Sequence, residues 1–537
     1  MTSTKQHDIV ILGGGLAGLT LSLQLKQRMP DLDIAVIERR RHPVPEATHK
    51  VGESSVEIGA HYFANVLGLK EYLQKHQLKK FGFRFFFSDG ERDITRVTEL
   101  GASTFLSTPA YQIDRGLFEN ALAGFALERG IRFIDGAMVR KFALSDGDSP
   151  HNLSYEKDGV TQEIQARWLL DASGRAGMIK RHLDLAELND HDANAIWFRI
   201  SERIDINDWS DDRAWLNRCN PPNRWLSTNH LMGEGYWAWL IPLASGSHSV
   251  GIVADAKLHP IDTMNTFDKA MTWFEKHQPR LFDALDSKRE KLQDFAFFKR
   301  FSYGCKQVFS GRQRWALTGE AGVFLDPFYS PGSDFIAIGN TFITELVAQD
   351  RAGGPVELYA NIYQQIYFSL YQNMLPLYTG QYKLFGDAEV MPVKVIWDYT
   401  YYWGVMCQLF FQNRLTDVVA MGRMQKTLAN VQQLNIAMQN FLLEWHGVSK
   451  QHNPPQMLDQ SRLDWFAEMN RGLTDSLDDA GFKQRMDEML TQLDVLAKEI
   501  VVRATMAYTT LDGSKVLGFT DREASERAPS MLFAQAA

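Results

Sequence analysis

A strand, a glycine-rich turn and a helix follow one another at the start of the chain. The apolar residues 8–12 lead into Gly13-x-Gly15-x-x-Gly18, and residues 19–26 have helical character. Glycines at these spacings allow a tight turn and a close approach of the backbone, and the helix N-terminus presents N–H groups that suit a pyrophosphate. The stretch predicts a dinucleotide-binding site; the alternative is a glycine turn in another type of α/β protein.

A second strand and a terminal acid favour the dinucleotide site. Residues 34–37 are apolar and end on Glu38, which stands 20 residues after Gly18. In dinucleotide-binding folds an acid at this distance hydrogen-bonds the ribose. The fingerprint therefore assigns the cofactor contacts of this part of the chain to Gly13, Gly15, Ala17, Gly18 and Glu38.

Composition narrows the classes of function. With 537 residues the chain is long enough for two or three domains, and a net charge of −8 without a basic block argues against nucleic acid as a partner. Cys219, Cys305 and Cys407 are far apart in sequence, which predicts reduced thiols in a cytoplasmic protein and no metal site. We expect no membrane span and no signal peptide, because no apolar run is long enough and the first strand starts almost at once.

The pattern of elements predicts an α/β fold with a helical C-terminal part. Residues 1–345 are expected to form a Rossmann-like cofactor-binding domain, with an antiparallel substrate-side sheet inserted at about 195–300. Residues 346–515 are expected to form an α-helical C-terminal domain, and residues 516–537 a polar tail. The long helices that we predict near and within this second part cover residues 341–350, 356–372, 421–445 and 479–507.

Aromatic side chains are dense in residues 363–385 and 397–411. Such density is typical of a packed core. The alternatives are a wall of an apolar substrate cavity and a surface for a carrier protein or a membrane face.

Two later segments join the glycine fingerprint. A predicted strand runs into Asp171-Ala172-Ser173-Gly174, and a later one into Gly319-Glu320-Ala321-Gly322. Together with the fingerprint they resemble the FAD-binding fold of the aromatic-hydroxylase-like flavoproteins. The resemblance implies an FAD-binding domain in which Asp171 and Glu320 lie near the cofactor. It also places Arg115 near FAD; without the resemblance, Arg115 is equally well a charge at a helix start.

A tryptophan-rich strand gives the most specific resemblance. Residues 237–242 read Trp237-Ala-Trp239-Leu-Ile-Pro242 and match the Trp-x-Trp-x-Ile-Pro motif of the flavin-dependent halogenases. Alternating tryptophans on a strand point to one face, so by themselves they indicate only an aromatic pair in a sheet. Residues 52–54, Gly-Glu-Ser, and residues 326–332, which begin with Asp326 beside the expected flavin ring, resemble segments of the same family. The resemblance covers roughly residues 5–345.

The family resemblance implies a role for one lysine. In these enzymes reduced FAD, O2 and a halide give hypohalous acid, and a lysine in a dry tunnel steers this oxidant to the substrate. Lys80 falls where the family carries its catalytic lysine. Lysine suits this task because burial readily shifts its pKa. Considered alone, Lys79 and Lys80 would be a solvated charge pair.

Two residues depart from the family pattern. Tyr329 stands where tryptophan-specific members carry a glutamate, which argues for a phenol, pyrrole or resorcinol-like ring as substrate. Pro331 has no N–H, so one halide donor of some members is missing and the halide-binding role passes to Gly332 and Ser333. If these amides do not bind halide, the protein is a monooxygenase.

The sequence therefore predicts a flavin-dependent halogenase. Its expected partners are FAD, a halide ion, a small or carrier-tethered aromatic substrate, and a separate flavin reductase, because no second glycine fingerprint for a nicotinamide cofactor is visible. An FAD monooxygenase or oxidase on the same scaffold is the runner-up. A flavin-carrying binding or redox-sensing protein is a third hypothesis.

Overall fold

The computed structural model describes residues 5–47, 52–520 and 531–533. The strands are β1 Lys5–Leu12, β2 Ile34–Ile37, β3 Leu78–Lys79, β4 Phe83–Phe86, β5 Glu99–Gly101, β6 Tyr111–Gln112, β7 Arg132–Ile134, β8 Ala137–Ala143, β9 His151–Lys157, β10 Val160–Asp171, β11 Ala186–Leu188, β12 Ala193–Ile200, β13 Thr228–Gly233, β14 Tyr236–Pro242, β15 His248–Asp255, β16 Leu292–Phe298, β17 Tyr303–Cys305, β18 Phe309–Ser310, β19 Trp315–Leu317 and β20 Met457–Asp459.

Helices occupy much of the remaining chain. They are α1 Leu16–Arg28, α2 Glu57–His61, α3 Lys70–His76, α4 Arg115–Glu128, α5 Met178–His182, α6 Arg213–Asn217, α7 Phe267–His277, α8 Pro279–Asp286, α9 Gly332–Arg351, α10 Val356–Met374, α11 Met391–Tyr401, α12 Gln408–Phe411, α13 Val418–His446, α14 Asp464–Arg471, α15 Asp479–Ala507 and α16 Ser514–Leu517. Two π-helical stretches, Tyr62–Val66 and Tyr402–Cys407, continue α2 and α11. The chain divides into two compact units.

The first unit is built from residues 1–77, 113–190 and 302–371. Its central sheet has the strand order β18-β19-β10-β1-β2-β7, and the pairs from β19 to β7 are all parallel. Strand β2 and the second half of β1, residues 9–12, are apolar and buried, as expected for parallel strands that helices cover on both faces. The β1–α1–β2 connection is the predicted Rossmann-like unit.

The second unit is built from residues 78–112, 191–301 and 372–537. Its large sheet has the order β16-β12-β15-β14-β13-β4-β5-β20, in which all pairs are antiparallel except β13 with β4 and β20 with β5. Side chains from this sheet and from α7 and α8 form one core, with Phe198, Tyr236, Ile252 and Phe274 among its buried members. The predicted fold class, α/β with an antiparallel sheet and a helical C-terminal region, is confirmed.

The long C-terminal helices agree with the sequence pattern, with one informative exception. Helix α15 has the predicted bounds, and α10 and α13 extend a few residues beyond the predicted ones. Helix α9, however, begins at Gly332 rather than at residue 341. The predicted helix did not include Pro331-Gly332, yet proline is well tolerated at a helix start because the first N–H groups of a helix have no intrahelical acceptor. The domain boundaries at 345 and 515 stay predictions, and the predicted tail lies partly outside the described residues.

Candidate active site

The glycine turn of the first unit leaves one position open to a ligand. Gly13 has φ +107°, and a Cβ atom there would overlap the carbonyl of Ala172, just as a Cβ on Gly18 would overlap the carbonyl of Gly13. A Cβ on Gly15 would meet no atom within 4 Å. Gly15 is also the N-cap of α1 and makes no side-chain capping hydrogen bond. The open space and the N–H groups of the first turn suit the pyrophosphate of a dinucleotide.

Glu38 lies beside this turn. Its Oε2 accepts the N–H of Gly14 at 2.7 Å and its Oε1 accepts the N–H of Arg40 at 2.8 Å. Each carboxylate oxygen has a second lone pair, so both can still accept a ribose hydroxyl. Ala17, in the first turn of α1, lies against Gly319, where a Cβ would stand 3.0 Å from the Ala17 Cβ.

Asp171 is fully buried and shapes the loop that follows β10. Its two carboxylate oxygens accept the N–H groups of Ser173 at 2.9 Å and Ile179 at 2.7 Å. Burial raises the pKa of Asp171, while these hydrogen bonds and the charge of Lys180 act in the opposite direction. Asp171 therefore holds the loop that packs on Gly13, and its assignment to the cofactor stays a prediction.

Glu320 lies among cationic side chains of the first unit. Burial raises its pKa, and the positive charges of Arg175, Arg115 and Lys180 oppose that shift. Arg115 forms an ion pair with Glu119 at 2.6 Å and donates to the carbonyl of Gly52 at 3.4 Å. The late Gly-Glu-Ala segment and Arg115, far apart in sequence, thus act on each other electrostatically.

A tightly wound loop precedes α9. The carboxylate of Asp326 accepts the N–H of Phe328 at 2.7 Å, and Tyr329 and Ser330 have φ angles of 65° and 55°. Such left-handed backbone is uncommon for residues other than glycine and often occurs at functional sites. Pro331 then forms the N-cap of α9 without a side-chain cap.

The first turn of α9 presents the residues predicted to bind halide. The N–H groups of Gly332 and Ser333 belong to those that a helix leaves without an intrahelical acceptor. The buried Ser333 Oγ has no hydrogen-bond partner in the described part of the chain. Asp334 also lies in this turn, and its Oδ1 accepts the N–H of Gly59 at 2.8 Å. The site is therefore a helix N-terminus with two amides and a hydroxyl, beside one carboxylate.

Asn340 is a buried hub that sequence reasoning missed. Its side-chain amide donates to the carbonyl of Ala17 at 3.2 Å, to the Thr20 hydroxyl at 3.1 Å and to the Tyr62 hydroxyl at 3.0 Å. Its Oδ1 accepts the hydroxyl of Thr318 at 2.7 Å. Asn340 thus connects α9 with the helix of the glycine turn and with the strand end before Gly319. In sequence it is one of several polar residues in α9, so no signal distinguished it.

The tryptophan motif forms strand β14 of the second unit. The ring centroids of Trp237 and Trp239 lie 5.5 Å apart, as expected for side chains on one face of a strand. The indole N–H of Trp237 donates to the Tyr382 hydroxyl at 3.0 Å, and that of Trp239 donates to the Ser249 hydroxyl at 3.1 Å. Pro242 is the last residue of the strand.

The two adjacent lysines have different environments within the second unit. Lys80 is only 4% exposed, and its Nζ lies 3.5 Å from the centroid of the Phe83 ring. Lys79 is exposed, with its Nζ 4.7 Å from the centroid of the Phe105 ring. Lys80 is therefore buried, in keeping with the role that the family resemblance implies for it, whereas Lys79 has the exposed environment of a surface charge; the catalytic role of Lys80 stays a prediction.

Aromatic contacts connect Lys80 with the tryptophan strand. Phe83 lies 5.3 Å from His230, and His230 lies 5.3 Å from Trp237 and stacks on Phe85 at 4.7 Å. Burial lowers the pKa of His230 to about 3, with the charge of Lys80 contributing, so this imidazole is neutral at pH 7. The structure thus brings together two motifs that no sequence pattern predicts to lie side by side.

The aromatic side chains around Phe83 include members of the C-terminal helices. The ring centroid of Tyr399 in α11 lies 6.0 Å from that of Phe83 and 4.7 Å from that of Trp403. Both tyrosine and tryptophan come from the aromatic-rich residues 397–411. This part of the aromatic stretch is buried, as its core interpretation predicts, and one of its members contacts the aromatic ring below Lys80.

Comparison with known proteins supports an FAD cofactor and the fold. Residues 6–253 match the family described as FAD binding domain. The chain is 26% identical to the flavin-dependent halogenase chlA of Dictyostelium discoideum over 77% of its own length and 74% of that protein. It is 27% identical to a 1H-pyrrole-2-carbonyl peptidyl-carrier-protein chlorinase of Pseudomonas fluorescens over 62% of its length and 73% of that enzyme.

This protein is an FAD-binding flavoenzyme related to the flavin-dependent halogenases. The crystal structure of halogenase PltM covers 92% of the chain and is itself covered to 97%, with a TM-score of 0.64 and 16% identity. At that identity the likeness shows the fold alone. The coverage means that the shared fold extends into the C-terminal helices, beyond the residues on which the sequence motifs lie.

Among the described residues of this flavoenzyme, no helix is both long and apolar enough to cross a membrane. Cys219, Cys305 and Cys407 are buried free thiols.

Proposed function

We propose that this flavoenzyme is a halogenase that uses reduced FAD, O2 and a halide to halogenate an electron-rich aromatic ring through hypohalous acid. The observation that carries the proposal is the buried Lys80, whose Nζ lies 3.5 Å over the Phe83 ring. Burying a lysine among aromatic side chains costs stability, because desolvation penalises its charge, so a lysine in this position is expected to have a use. Steering hypohalous acid is such a use, and hydroxylation needs no amine.

The first unit offers the cofactor site. The turn from Gly13 to Gly18 would hold the pyrophosphate and Glu38 the ribose, since Gly15 is open and Glu38 keeps free lone pairs. Arg115, Glu320 and Asp326 would lie toward the other parts of the cofactor. When bound, reduced FAD together with O2 supplies the oxidising power that converts halide to hypohalous acid.

The N-terminus of α9 is the proposed halide site. The amides of Gly332 and Ser333 and the positive end of the helix dipole favour a small anion there. The Asp334 carboxylate opposes this, although the N–H of Gly59 partly compensates its charge. Pro331 contributes no donor.

A phenol, pyrrole or resorcinol-like ring, free or carrier-tethered, is the proposed substrate. Tyr329 stands where a glutamate base would be needed for a less reactive ring. An electron-rich ring needs no such base before it is attacked. We also propose that a separate reductase supplies the reduced flavin, because the chain has a single glycine fingerprint.

A flavin monooxygenase is the second candidate, and Pro331 is the observation that favours it. Without enough halide donors, the oxidant formed at the flavin would transfer oxygen directly to the substrate. The two reactions give products that differ in mass, so one experiment separates them.

The decisive experiment is product analysis with bromide. The purified protein is incubated with chemically or enzymatically reduced FAD, O2, bromide and a panel of phenols, resorcinols and pyrroles, and products are analysed by mass spectrometry. The halogenase is expected to give the bromine isotope doublet. Hydroxylated products alone would favour the monooxygenase.

The neighbouring lysine provides the control. Lys80→Ala is expected to abolish brominated product while flavin oxidation and peroxide release continue. Lys79→Ala removes an exposed ammonium one residue away and is expected to retain bromination. Equal bromination by Lys80→Ala and the unmodified protein would exclude the assigned role.

A further inference from the structure

Lys180 is a buried lysine of the first unit that belongs to none of the sequence motifs. It lies in α5, which follows the loop after β10, and is only 7% exposed. Its Nζ donates to the carbonyl oxygen of Gly322 at 2.8 Å and lies 4.1 Å from the centroid of the Tyr303 ring. Its aliphatic part passes close to Gly177, where a Cβ atom would stand 3.2 Å from the Lys180 Cε. The ammonium group is therefore held by a carbonyl group, an aromatic ring and the start of its own helix.

The carbonyl group that Lys180 binds belongs to the late Gly-Glu-Ala-Gly segment. Tyr303 on β17 supports the same segment, because its hydroxyl donates to the carbonyl oxygen of Glu320 at 2.8 Å. The start of the segment contacts the helix of the glycine turn, since a Cβ atom on Gly319 would stand 3.0 Å from the Cβ of Ala17. The segment thus contacts both the first turn of α1 and the side chains of Lys180 and Tyr303, and a shift of the lysine would move residues that are assigned to the FAD site.

Ionisable groups of both signs surround the Lys180 ammonium. Burial lowers the pKa of Lys180, and the neighbouring charges act on that pKa in both directions. Burial also raises the pKa of Glu320, and the charge of Lys180 is one of those that oppose this rise. Desolvation penalises an ammonium group in such a place, so it is expected to have a use there. Besides Glu320 and the Tyr303 phenol, the groups that act on Lys180 are the carboxyl group of Asp171, the thiol of Cys305 and the guanidinium groups of Arg175 and Arg181.

We propose that Lys180 is a cofactor-positioning residue: its ammonium holds the Gly-Glu-Ala-Gly segment through the carbonyl of Gly322 and offsets the charge of Glu320, so that the segment accepts the phosphate-bearing part of FAD. The inference rests on the cofactor site proposed above and does not depend on halogenation. The diphosphate of FAD is anionic, so an uncompensated carboxylate beside it would repel it. A cation that also binds the backbone of the segment reduces this repulsion and fixes the shape of the segment at the same time.

The test measures FAD affinity in full-length variants. FAD is titrated into the unmodified protein, Lys180→Met and Lys180→Arg, with flavin fluorescence as the readout. Methionine has a side chain of similar length without charge or donor, and arginine keeps both. Lys306→Met is the matched control: the Nζ of Lys306 also donates to a backbone carbonyl, that of Asp184 at 3.0 Å, but Lys306 is exposed and binds outside the Gly-Glu-Ala-Gly segment. Urea unfolding without FAD is measured for each variant.

We expect Lys180→Met to raise the FAD dissociation constant about tenfold, Lys180→Arg to stay within about threefold of the unmodified protein, and Lys306→Met to leave the constant unchanged. The urea midpoint of Lys180→Met without FAD should stay close to the unmodified value, because methionine avoids the desolvation cost of a buried charge. The proposal is overturned if Lys180→Met binds FAD as tightly as Lys306→Met, if Lys180→Arg loses as much affinity as Lys180→Met, or if a fall in the urea midpoint accounts for the lost affinity.

ADP as a competitor shows which part of the cofactor Lys180 serves. ADP carries a diphosphate but no flavin, so its competition with FAD should weaken in Lys180→Met by the same factor as FAD binding. An ADP affinity that the substitution leaves unchanged would contradict the assignment to the phosphates. Gly15→Ala, at the glycine turn, separates the two levels of the inference. If Gly15→Ala weakens FAD binding and Lys180→Met does not, the cofactor site stands and the role of Lys180 fails; if neither does, the proposed cofactor site itself fails.

Discussion

The carboxylate of Glu38 accepts the backbone N–H of Gly14 at 2.7 Å, which joins the end of β2 to the turn between β1 and α1. A hydrogen bond to a charged acceptor contributes about 1.5–3 kcal/mol. The acid that sequence spacing assigns to the ribose therefore also shapes the turn. Glu38 therefore couples the shape of the turn to cofactor binding. Substitutions of the individual glycines can separate the two effects, because a Cβ at Gly13 meets backbone atoms and a Cβ at Gly15 does not.

Gly15→Ala is expected to separate cofactor binding from folding. The added methyl group meets no atom within 4 Å, so the unfolding midpoint should stay unchanged, while FAD affinity should fall by about tenfold or more because the pyrophosphate approaches this backbone. Gly13→Ala, with φ +107° and a steric overlap with Ala172, should instead fail to fold stably. Flavin fluorescence titration and thermal unfolding measure the two effects; normal FAD binding by Gly15→Ala would contradict the assignment.

Asn340→Leu tests the hub between α9 and the glycine turn. The substitution leaves the buried hydroxyls of Thr20, Tyr62 and Thr318 without their amide partner and should lower the free energy of unfolding by about 3 kcal/mol. Urea unfolding measures this. Thr341→Ala, one residue further along the helix and partly exposed, is the control and should cost less than about 1 kcal/mol. A loss for Asn340→Leu no larger than that of the control would show that the hub is unimportant.

Sequence patterns predicted the elements that repeat a simple period. The β1–α1–β2 unit and helix α15 follow directly from apolar periodicity, and the alternation of Trp237 and Trp239 placed both rings on one face. The start of α9 could not be predicted in this way. Its first turn follows left-handed residues at Tyr329 and Ser330, which only the surrounding tertiary structure can impose.

Sequence predicted the parts of the candidate site that lie within one local motif. It did not predict the parts that residues distant in sequence form together. Lys80 came from the family resemblance, but its partner ring at Phe83 and the neutral His230 are brought to it by the pairing of β4 with β13, strands about 145 residues apart in sequence. Asn340 gives the same lesson in the first unit. Its four hydrogen bonds reach residues 17, 20, 62 and 318, and no window of sequence contains them together.

Glu99→Gln is expected to destabilise the second unit severely. Glu99 is fully buried, and although burial alone would raise its pKa, the charges of Arg84 and Arg224 lower it. The amide leaves two buried guanidinium groups without an anion, which typically costs about 3–5 kcal/mol. Asp283→Asn breaks the partly exposed ion pair with Arg92 and should cost less than about 1 kcal/mol. Equal urea midpoints for the two variants would argue against the buried cluster as a source of stability.

His248→Asn is expected to reduce the loss of stability in acid. Burial lowers the pKa of His248 to about 3, and its Nδ1 accepts the N–H of Ile204 at 3.2 Å. The unfolded chain protonates His248 below about pH 6.5, whereas the folded chain does so only near pH 3. The free energy of unfolding therefore has its full value above about pH 6.5 and falls as the pH drops toward 3, because protonation stabilises only the unfolded chain. Between pH 7 and 5 the loss is about 2 kcal/mol for this group.

The asparagine side chain introduced by His248→Asn has an amide oxygen that can accept the same N–H without titrating. Urea unfolding at pH 7 and pH 5 should therefore show a smaller difference for His248→Asn than for the unmodified protein. Lowered stability at pH 7 is compatible with the explanation, since the side chain is smaller. An equal loss of stability between pH 7 and pH 5 in both proteins would contradict the role assigned to His248.

Ser330→Gly is expected to stabilise the loop before α9. Ser330 has φ +55°, a conformation that costs a residue with a Cβ about 1–2 kcal/mol, whereas glycine adopts it freely. Glycine also raises the conformational entropy of the unfolded chain, which lowers the free energy of unfolding by about 0.4–1 kcal/mol. The net gain in the free energy of unfolding should therefore be about 0.5–1 kcal/mol, measured by urea unfolding. Gln349→Gly within α9 is the control and should lose about 1 kcal/mol, because its backbone is helical. A loss of stability for Ser330→Gly would mean that the serine side chain contributes more than its backbone costs.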